Sequence, residues 1–207
     1  MIIIPERRAC YIHIPRTGGM ALQTAIELTL PHSVRLAGPW EHTTAAEIRQ
    51  RLAWPDLRIF AVIRNPWQIF ASHWGWTQRY SPTPELLGDD LVAAAVALAS
   101  RLTFGEFVRD SIQRDVLAVD GGFFSRYCDC MTTVFRYEPA PWPQIAEWLD
   151  CPLSLERENE SLCEPPAWDQ ETADMVGWYC RGDVERFGYG VPDHFRMSSS
   201  FAQMSDR

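Results

Sequence analysis

The segment LRIFAVI, residues 57–63, restricts the possible folds of this chain more than any other part of the sequence. From Ile59 to Ile63 the residues are apolar without interruption. A strand with one buried face alternates apolar and polar residues, whereas an unbroken apolar run is typical of a strand buried on both faces. We therefore expect an interior strand of a parallel sheet that helices cover on both sides.

Strand-like and helix-like segments alternate along the rest of the chain. Further strands are predicted at residues 10–14, 33–36 and 132–137. Helices are predicted at residues 21–30, 45–52, 66–76, 90–101, 103–114, 143–149 and 170–187, and loops at 77–90 and 156–168. This alternation predicts an α/β protein with three layers, α/β/α, and a central parallel sheet. We expect a single domain over residues 1–190 and a loosely ordered tail over residues 191–207.

The charges of the chain argue against two classes of partner. It has 27 acidic and 19 basic residues, a net charge of −8, and all of its basic residues are arginine, a bias typical of codon usage. A protein that coats nucleic acid or an anionic membrane needs a cationic surface, which this composition does not supply. If the chain binds an anion, its arginines must be gathered locally.

The apolar segments and the cysteines point to a soluble, cytoplasmic protein. No segment reaches the roughly 20 apolar residues that span a bilayer, and the first ten residues lack the features of a signal peptide. The six cysteines include Cys128 and Cys130, whose spacing fits neither a zinc site nor a redox motif. We expect reduced thiols and no metal site.

The first segment that carries chemistry is YIHIPRTGGMAL, residues 11–22. A strand that ends in a glycine-rich turn and opens a helix presents backbone N–H groups and the positive end of the helix dipole, which suits a phosphate. Arg16 adds a cation, although the spacing is not that of a Walker A loop. Alone, Gly18 and Gly19 are equally typical of a tight turn.

The second segment is FAVIRNPWQIFASHW, residues 60–74. Arg64 follows the strongest strand, Asn65 and Pro66 are typical of a helix start, and Ser72 lies two helical turns further on. In open α/β sheets ligands bind at the carboxyl ends of the strands, so Arg16 and Arg64 are both expected at that edge. Two arginines there indicate a polyanionic ligand. Alone, Arg64 would fit a surface ion pair and Ser72 an ordinary helix hydroxyl.

Together the two segments resemble the sulfotransferase family that uses 3′-phosphoadenosine 5′-phosphosulfate, most closely its carbohydrate-type branch, whose motifs usually read HxPKTGGTS and VRNP. The segments EHTTAAEIRQRL, VFRYE, ENES and DQETADMVGWYCRGDVERFGY resemble further parts of that family. The resemblance covers nearly the whole chain apart from the loop after residue 76 and the tail. It implies a P-loop-like nucleotide fold and this phosphosulfate as the co-substrate.

The resemblance also assigns residues to the 5′ end of the donor. Arg16 takes the place of the family lysine that contacts the 5′-phosphosulfate and stabilises charge on the bridging oxygen. Thr17, Gly18 and Gly19 would supply the backbone cradle, and Met20 belongs to the same cofactor-binding set. Where the family has Thr and Ser after the glycines, this chain has Met20 and an alanine, so two hydroxyl donors are missing.

The 3′-phosphate and the acceptor have their own implied residues. Arg64 would hold the 3′-phosphate by a bidentate fork and Ser72 by its hydroxyl, with Arg157 as a third contact. His42 falls where the family carries its general base, and an imidazole titrates in the range that suits this role. Glu41 is a rival base.

These features predict an enzyme that transfers the sulfuryl group to a hydroxyl, or an amine, of a carbohydrate or small-molecule acceptor, without a metal. Two alternatives stay open. The missing hydroxyls and the arginine at position 16 also fit a catalytically inert protein that binds the nucleotide. A nucleotide or nucleoside kinase is less favoured, because the Walker A lysine and a clear magnesium carboxylate are missing.

Overall fold

A computed structural model describes residues 1–36, 38, 41–79, 99–114, 122–155, 166–193 and 195. The chain divides into two compact units, residues 1–65 with 123–160 and residues 66–122 with 161–207. The single domain predicted over residues 1–190 stays a prediction, and most of the predicted tail lies outside the described residues.

The first unit is built on a mixed five-stranded sheet in the order β3-β1-β2-β4-β5. Its strands are β1 (Ile2–Ile4), β2 (Ala9–Ile12), β3 (Val34–Arg35), β4 (Arg58–Ile63) and β5 (Thr133–Arg136). The predicted parallel pairing is confirmed for β2 with β4 and for β4 with β5. It is wrong for β3, the strand predicted at residues 33–36, which pairs antiparallel with β1. Sequence analysis did not predict β1, which is also antiparallel to β2.

The short connection after β1 explains why β1 pairs antiparallel with β2. The chain leaves β1 through a single 3₁₀ turn, Pro5–Arg7, and Arg8 at φ 45° closes the turn into β2. A connection this short can join only antiparallel neighbours, since a parallel pair needs a crossover of a dozen residues or more. Proline-led turns lack the Asn-Gly signature by which sequence usually predicts a hairpin.

Both faces of the central strands are buried, as the apolar run predicts. On one face Tyr11, Phe60 and Val62 pack in a core with residues of two helices, α1 (Gly19–Thr29) and Trp142–Leu149. The residues that alternate with them, Cys10, Ile12, Ile59, Ala61 and Ile63, are also buried. These strands therefore lie in the interior of a covered sheet.

Seven α-helices are present in the described part of the chain. The first unit contains α1 (Gly19–Thr29), α2 (Ala45–Arg51) and α5 (Trp142–Leu149), and the second contains α3 (Pro66–Arg79), α4 (Phe104–Gln113), α6 (Gln170–Tyr179) and α7 (Arg181–Phe187). The single closing helix predicted over residues 170–187 is two helices. Cys180 leaves helical geometry between them, and Asp183 in the first turn favours a new start.

Two tryptophan side chains make contacts within the second unit. The Trp67 indole N–H donates to the Ala173 carbonyl at 2.9 Å, joining α3 to α6. Trp168 is fully buried, with its ring centroid 4.6 Å from that of Phe104. Most of the helix predicted at residues 90–101 and much of the loop predicted at 77–90 lie outside the described residues.

Two further sequence expectations concern the whole chain. No helix in the described ranges combines the length and apolar character that crossing a bilayer requires. The five described cysteines, Cys10, Cys128, Cys130, Cys151 and Cys180, are free thiols, as predicted.

The capping box of α2 provides a test of the local fold. The Thr44 hydroxyl accepts from the Glu47 N–H, and the Glu47 carboxylate accepts from the Thr44 N–H at 2.9 Å. We expect Thr44→Ala to lower the free energy of unfolding by about 1 kcal/mol in urea titrations. Thr44→Ser keeps the hydroxyl and should retain wild-type stability, and equal losses in both variants would contradict the capping role.

Candidate functional site

The loop that joins β2 to α1 adopts a constrained backbone. Arg16 has φ 65° and Gly18 has φ 77°, both in the left-handed region. Between them, Thr17 is fully buried, and its hydroxyl donates to the Ile14 carbonyl at 2.8 Å. The loop is thus held from inside by Thr17, while the half-buried Arg16 side chain remains at its surface.

Each glycine of this loop is required for a different reason. A Cβ on Gly18 would lie 2.8 Å from Cε2 of Tyr137 and 3.3 Å from Cη2 of Trp142. A Cβ on Gly19 would overlap Cδ2 of the His13 imidazole. Gly18 and Gly19 therefore form a tight turn, which is one of the two interpretations of the sequence. They also let the rings of Tyr137, Trp142 and His13 approach the loop.

The first turn of α1 comes immediately after this loop. Its N-cap is Gly18, which has no side chain to cap the helix, and the turn contains no acidic residue. Backbone N–H groups at a helix start favour an anion. Met20 is 43% exposed at this point.

Arg64 lies beside the loop because β2 and β4 are parallel. Ile12 pairs with Ala61, so the residues that follow the two strands emerge at the same edge of the sheet. Nη1 of Arg64 donates to the Arg16 carbonyl at 3.1 Å, and its guanidinium stacks on the Tyr137 ring at 4.6 Å. The predicted meeting of the two arginine segments is present within the first unit.

Arg64 also has a carboxylate neighbour that sequence analysis did not single out. Nε of Arg64 lies 3.6 Å from Oε1 of Glu138, whose Oε2 accepts from the Asn65 N–H at 3.4 Å. Burial lowers the pKa of Arg64 and raises that of Glu138, because it disfavours the charged form of each. Glu138 lies two residues after β5, which pairs with β4 so that Ile63 is opposite Arg136. The sequence signal that could have located it is its place just after a strand predicted beside the one that ends before Arg64.

The two candidate bases lie in the same unit, beside the end of β2. The Nδ1 atom of His42 is 2.8 Å from the carbonyl oxygen of His13. A carbonyl only accepts, so Nδ1 carries the proton and Nε2 of a neutral His42 carries the lone pair. His42 is exposed, so that nitrogen suits a general base.

Glu41 is placed differently. Its Oε1 lies 3.3 Å from Nδ1 of the buried His13, whose ring centroid is 5.2 Å from that of His42. Burial, followed by the nearby His42, lowers the pKa of His13 to about 3, so His13 is neutral at physiological pH. His13 is packed in the interior, and its contacts with Glu41 and His42 make it part of the site.

The remaining predicted residues lie elsewhere. Ser72 is half-buried on α3 of the second unit, and Arg157 lies outside the described residues, so their roles stay predictions. Among the described residues, no group of three or more potential ligands is arranged to hold a metal ion. Two surface cavities of about 330 and 220 Å³ lie around α2, and neither is lined by the loop or by Arg64.

Comparison with family models, with curated proteins and with solved structures finds no match to this chain.

The ring contacts of Gly18 can be tested with a matched pair of glycines. Gly18 and Gly38 both have positive φ, but a Cβ on Gly38 would meet nothing within 4 Å. We expect Gly38→Ala to lower the free energy of unfolding by about 1–2 kcal/mol from backbone strain alone. Gly18→Ala should lower it by a further 1 kcal/mol or more in the same urea titration, since Tyr137 must move. Equal losses would show that the ring does not constrain the loop.

Proposed function

We propose that this chain is a sulfotransferase that uses 3′-phosphoadenosine 5′-phosphosulfate and transfers its sulfuryl group to a hydroxyl, or an amine, of a small-molecule or carbohydrate acceptor. One observation carries the proposal. The loop with Arg16, the guanidinium of Arg64 and the imidazole of His42 all lie at the carboxyl end of β2 and its parallel neighbour, within one unit.

The cradle and the arginines would hold the donor. The N–H groups at the start of α1 and the Arg16 guanidinium would face the 5′-phosphosulfate, and Arg64 would face a phosphate. An incoming phosphate would take the place of Glu138 as the anion beside Arg64. Catalysis would then depend on cations and N–H groups that face charge as it develops.

The transfer step follows from these placements. The acceptor oxygen attacks the sulfur atom and forms a new S–O bond, while the bond from sulfur to the bridging phosphate oxygen breaks. Nε2 of His42 takes the proton of the acceptor hydroxyl, and the electron pair of the broken bond stays on the departing bisphosphate. Arg16 and the α1 N–H groups stabilise that charge, as in phosphoryl transfer.

The finer fold belongs to the same proposal. A sheet buried on both faces at β2 and β4 supports a three-layer α/β/α arrangement. A glycine-bearing turn between a strand and a helix supports a P-loop-like nucleotide fold.

A catalytically inert nucleotide-binding protein is the second candidate. It is favoured by the missing hydroxyls at Met20 and Ala21 and by the pairing of Arg64 with Glu138. Such a protein binds the bisphosphate and transfers nothing, so transfer of labelled sulfate from the donor to a panel of acceptors separates it from the enzyme. His42→Ala should abolish transfer in an enzyme and leave bisphosphate binding intact.

Binding of adenosine 3′,5′-bisphosphate tests both candidates against a kinase. At about 100 times its dissociation constant this ligand should stabilise the chain by about 2.7 kcal/mol and raise the Tm by several degrees. Arg16→Ala should weaken binding about 10- to 100-fold, since a charge-assisted contact is lost, whereas Arg16→Lys should stay within about tenfold. Arg8→Ala is the control, because Arg8 also has a positive φ but lies at the amino end of β2.

Stabilisation by adenosine 5′-monophosphate without any by the bisphosphate would contradict the proposal. A magnesium-dependent activity with a nucleoside triphosphate would favour a kinase instead.

Removal of the carboxylate beside Arg64 should strengthen binding of the bisphosphate, whereas Arg16→Ala should weaken it. Glu138→Gln removes an anion that competes with phosphate for Arg64, so affinity for the bisphosphate should rise about twofold to fivefold, which corresponds to roughly 0.5–1 kcal/mol for a partly exposed ion pair. Isothermal titration calorimetry measures the change. Glu27→Gln alters the net charge equally, near the opposite end of α1, and should have no such effect. Weaker binding in Glu138→Gln would mean that Glu138 orients Arg64 for the ligand.

A further inference from the structure

His13 lies against three residues of the proposed site, Gly19, Glu41 and His42, although its side chain is only 8% exposed. It is the first residue after β2, and its ring lies against Gly19 at the start of α1. No hydrogen bond to Nδ1 of His13 is formed in the described part of the chain, and the Glu41 carboxylate lies 3.3 Å from this atom.

The same residue holds the neighbouring segment at two points. The His13 carbonyl accepts from Nδ1 of His42 at 2.8 Å, and the His13 ring faces Glu41. His42 is therefore held against β2 by a hydrogen bond to the His13 backbone, and the Glu41 carboxylate lies against the His13 ring. The Glu41 backbone is held separately, because the Met1 ammonium donates to its carbonyl at 2.6 Å. The hydrogen bond decides which nitrogen of His42 carries the lone pair, so this attachment bears directly on a proton transfer.

The ring of His13 also connects this segment to the phosphate loop. It fills the space that only a glycine at position 19 leaves open. A shift at the start of α1 must displace the ring, and a displaced ring changes the surface against which the Glu41 carboxylate lies. The loop expected to bind the donor and the segment expected to accept the proton are thus coupled through one buried imidazole.

We propose that His13 is a positioning residue, which sets the orientation and tautomer of His42 through Glu41 and the shared backbone, and which transmits the position of the phosphate loop to the base. This inference rests on the proposed function only in naming His42 as the base. The coupling itself is a property of the free protein.

The test uses the full chain with ¹⁵N-labelled histidine and long-range ¹H–¹⁵N correlation spectra, recorded where imidazole is neutral. In the wild type His42 should carry its proton on Nδ1. His13→Ala should shift His42 to a mixture of both tautomers, and His13→Asn should restore the wild-type state, because the asparagine amide nitrogen can replace Nδ1 opposite Glu41. Loss of the His42 signal in His42→Ala gives the assignment.

Gly19→Ala tests the coupling from the other side. Its Cβ displaces the His13 ring, so it should perturb the His42 tautomer in the same direction as His13→Ala. Gly105→Ala is the matched control, since a Cβ there meets only the flexible end of Arg109 and Cγ2 of Thr172. A His42 spectrum unchanged in both His13→Ala and Gly19→Ala would overturn the proposal.

Two further measurements keep the test decisive. If His13→Ala does not fold, Glu41→Ala at a half-exposed position should give the same tautomer mixture, and an unchanged spectrum would again overturn the proposal. In a transferring enzyme, His13→Ala should lower kcat about 10- to 100-fold with unchanged bisphosphate affinity, and His13→Asn should recover most of it. Absence of bisphosphate binding would defeat the proposed function and leave the spectroscopic result standing by itself.

Discussion

The parallel pairing of β2 with β4 is the constraint on which the candidate site depends. It places the residues that follow Ile12 and the residues that follow Ile63 at one edge, and the pairing of β4 with β5 adds Tyr137 and Glu138. The contact between Arg64 and the Arg16 carbonyl is a consequence of this pairing.

Burial then decides the charge states around that edge. Burial lowers the pKa of His13, so its imidazole is neutral. Burial of the residues beside the sheet also disfavours the charged forms of Arg64 and Glu138. The charged groups must therefore hold one another in position, and an anionic ligand would enter an arrangement that is already partly neutralised. Solvated arginines would instead present their full charge to the ligand. The sequence alone does not distinguish these two cases, because it contains the same residues in both.

Much of the first unit could be predicted from local signals. Each of three local signals predicts the structure at its own position. The apolar run ending at Ile63 predicts a buried strand, the Thr44 and Glu47 pair predicts a helix start, and the glycines at the start of α1 predict a turn. The antiparallel β1 could not be predicted in the same way, because a three-residue strand has too few side chains to show a period. Glu138 and His13 were missed as site residues for a related reason, since their importance comes from partners about 70 and 30 residues away.

The backbone at position 16 has a consequence for how this site can change over time. An L-amino acid in the left-handed region is disfavoured by roughly 1–2 kcal/mol, and glycine would adopt the same φ freely. The chain nevertheless carries a long cationic side chain there, in a loop that Thr17 and Arg64 hold in shape. A glycine would remove this backbone cost, so the arginine at position 16 is accommodated at the expense of local backbone strain that the surrounding contacts must offset.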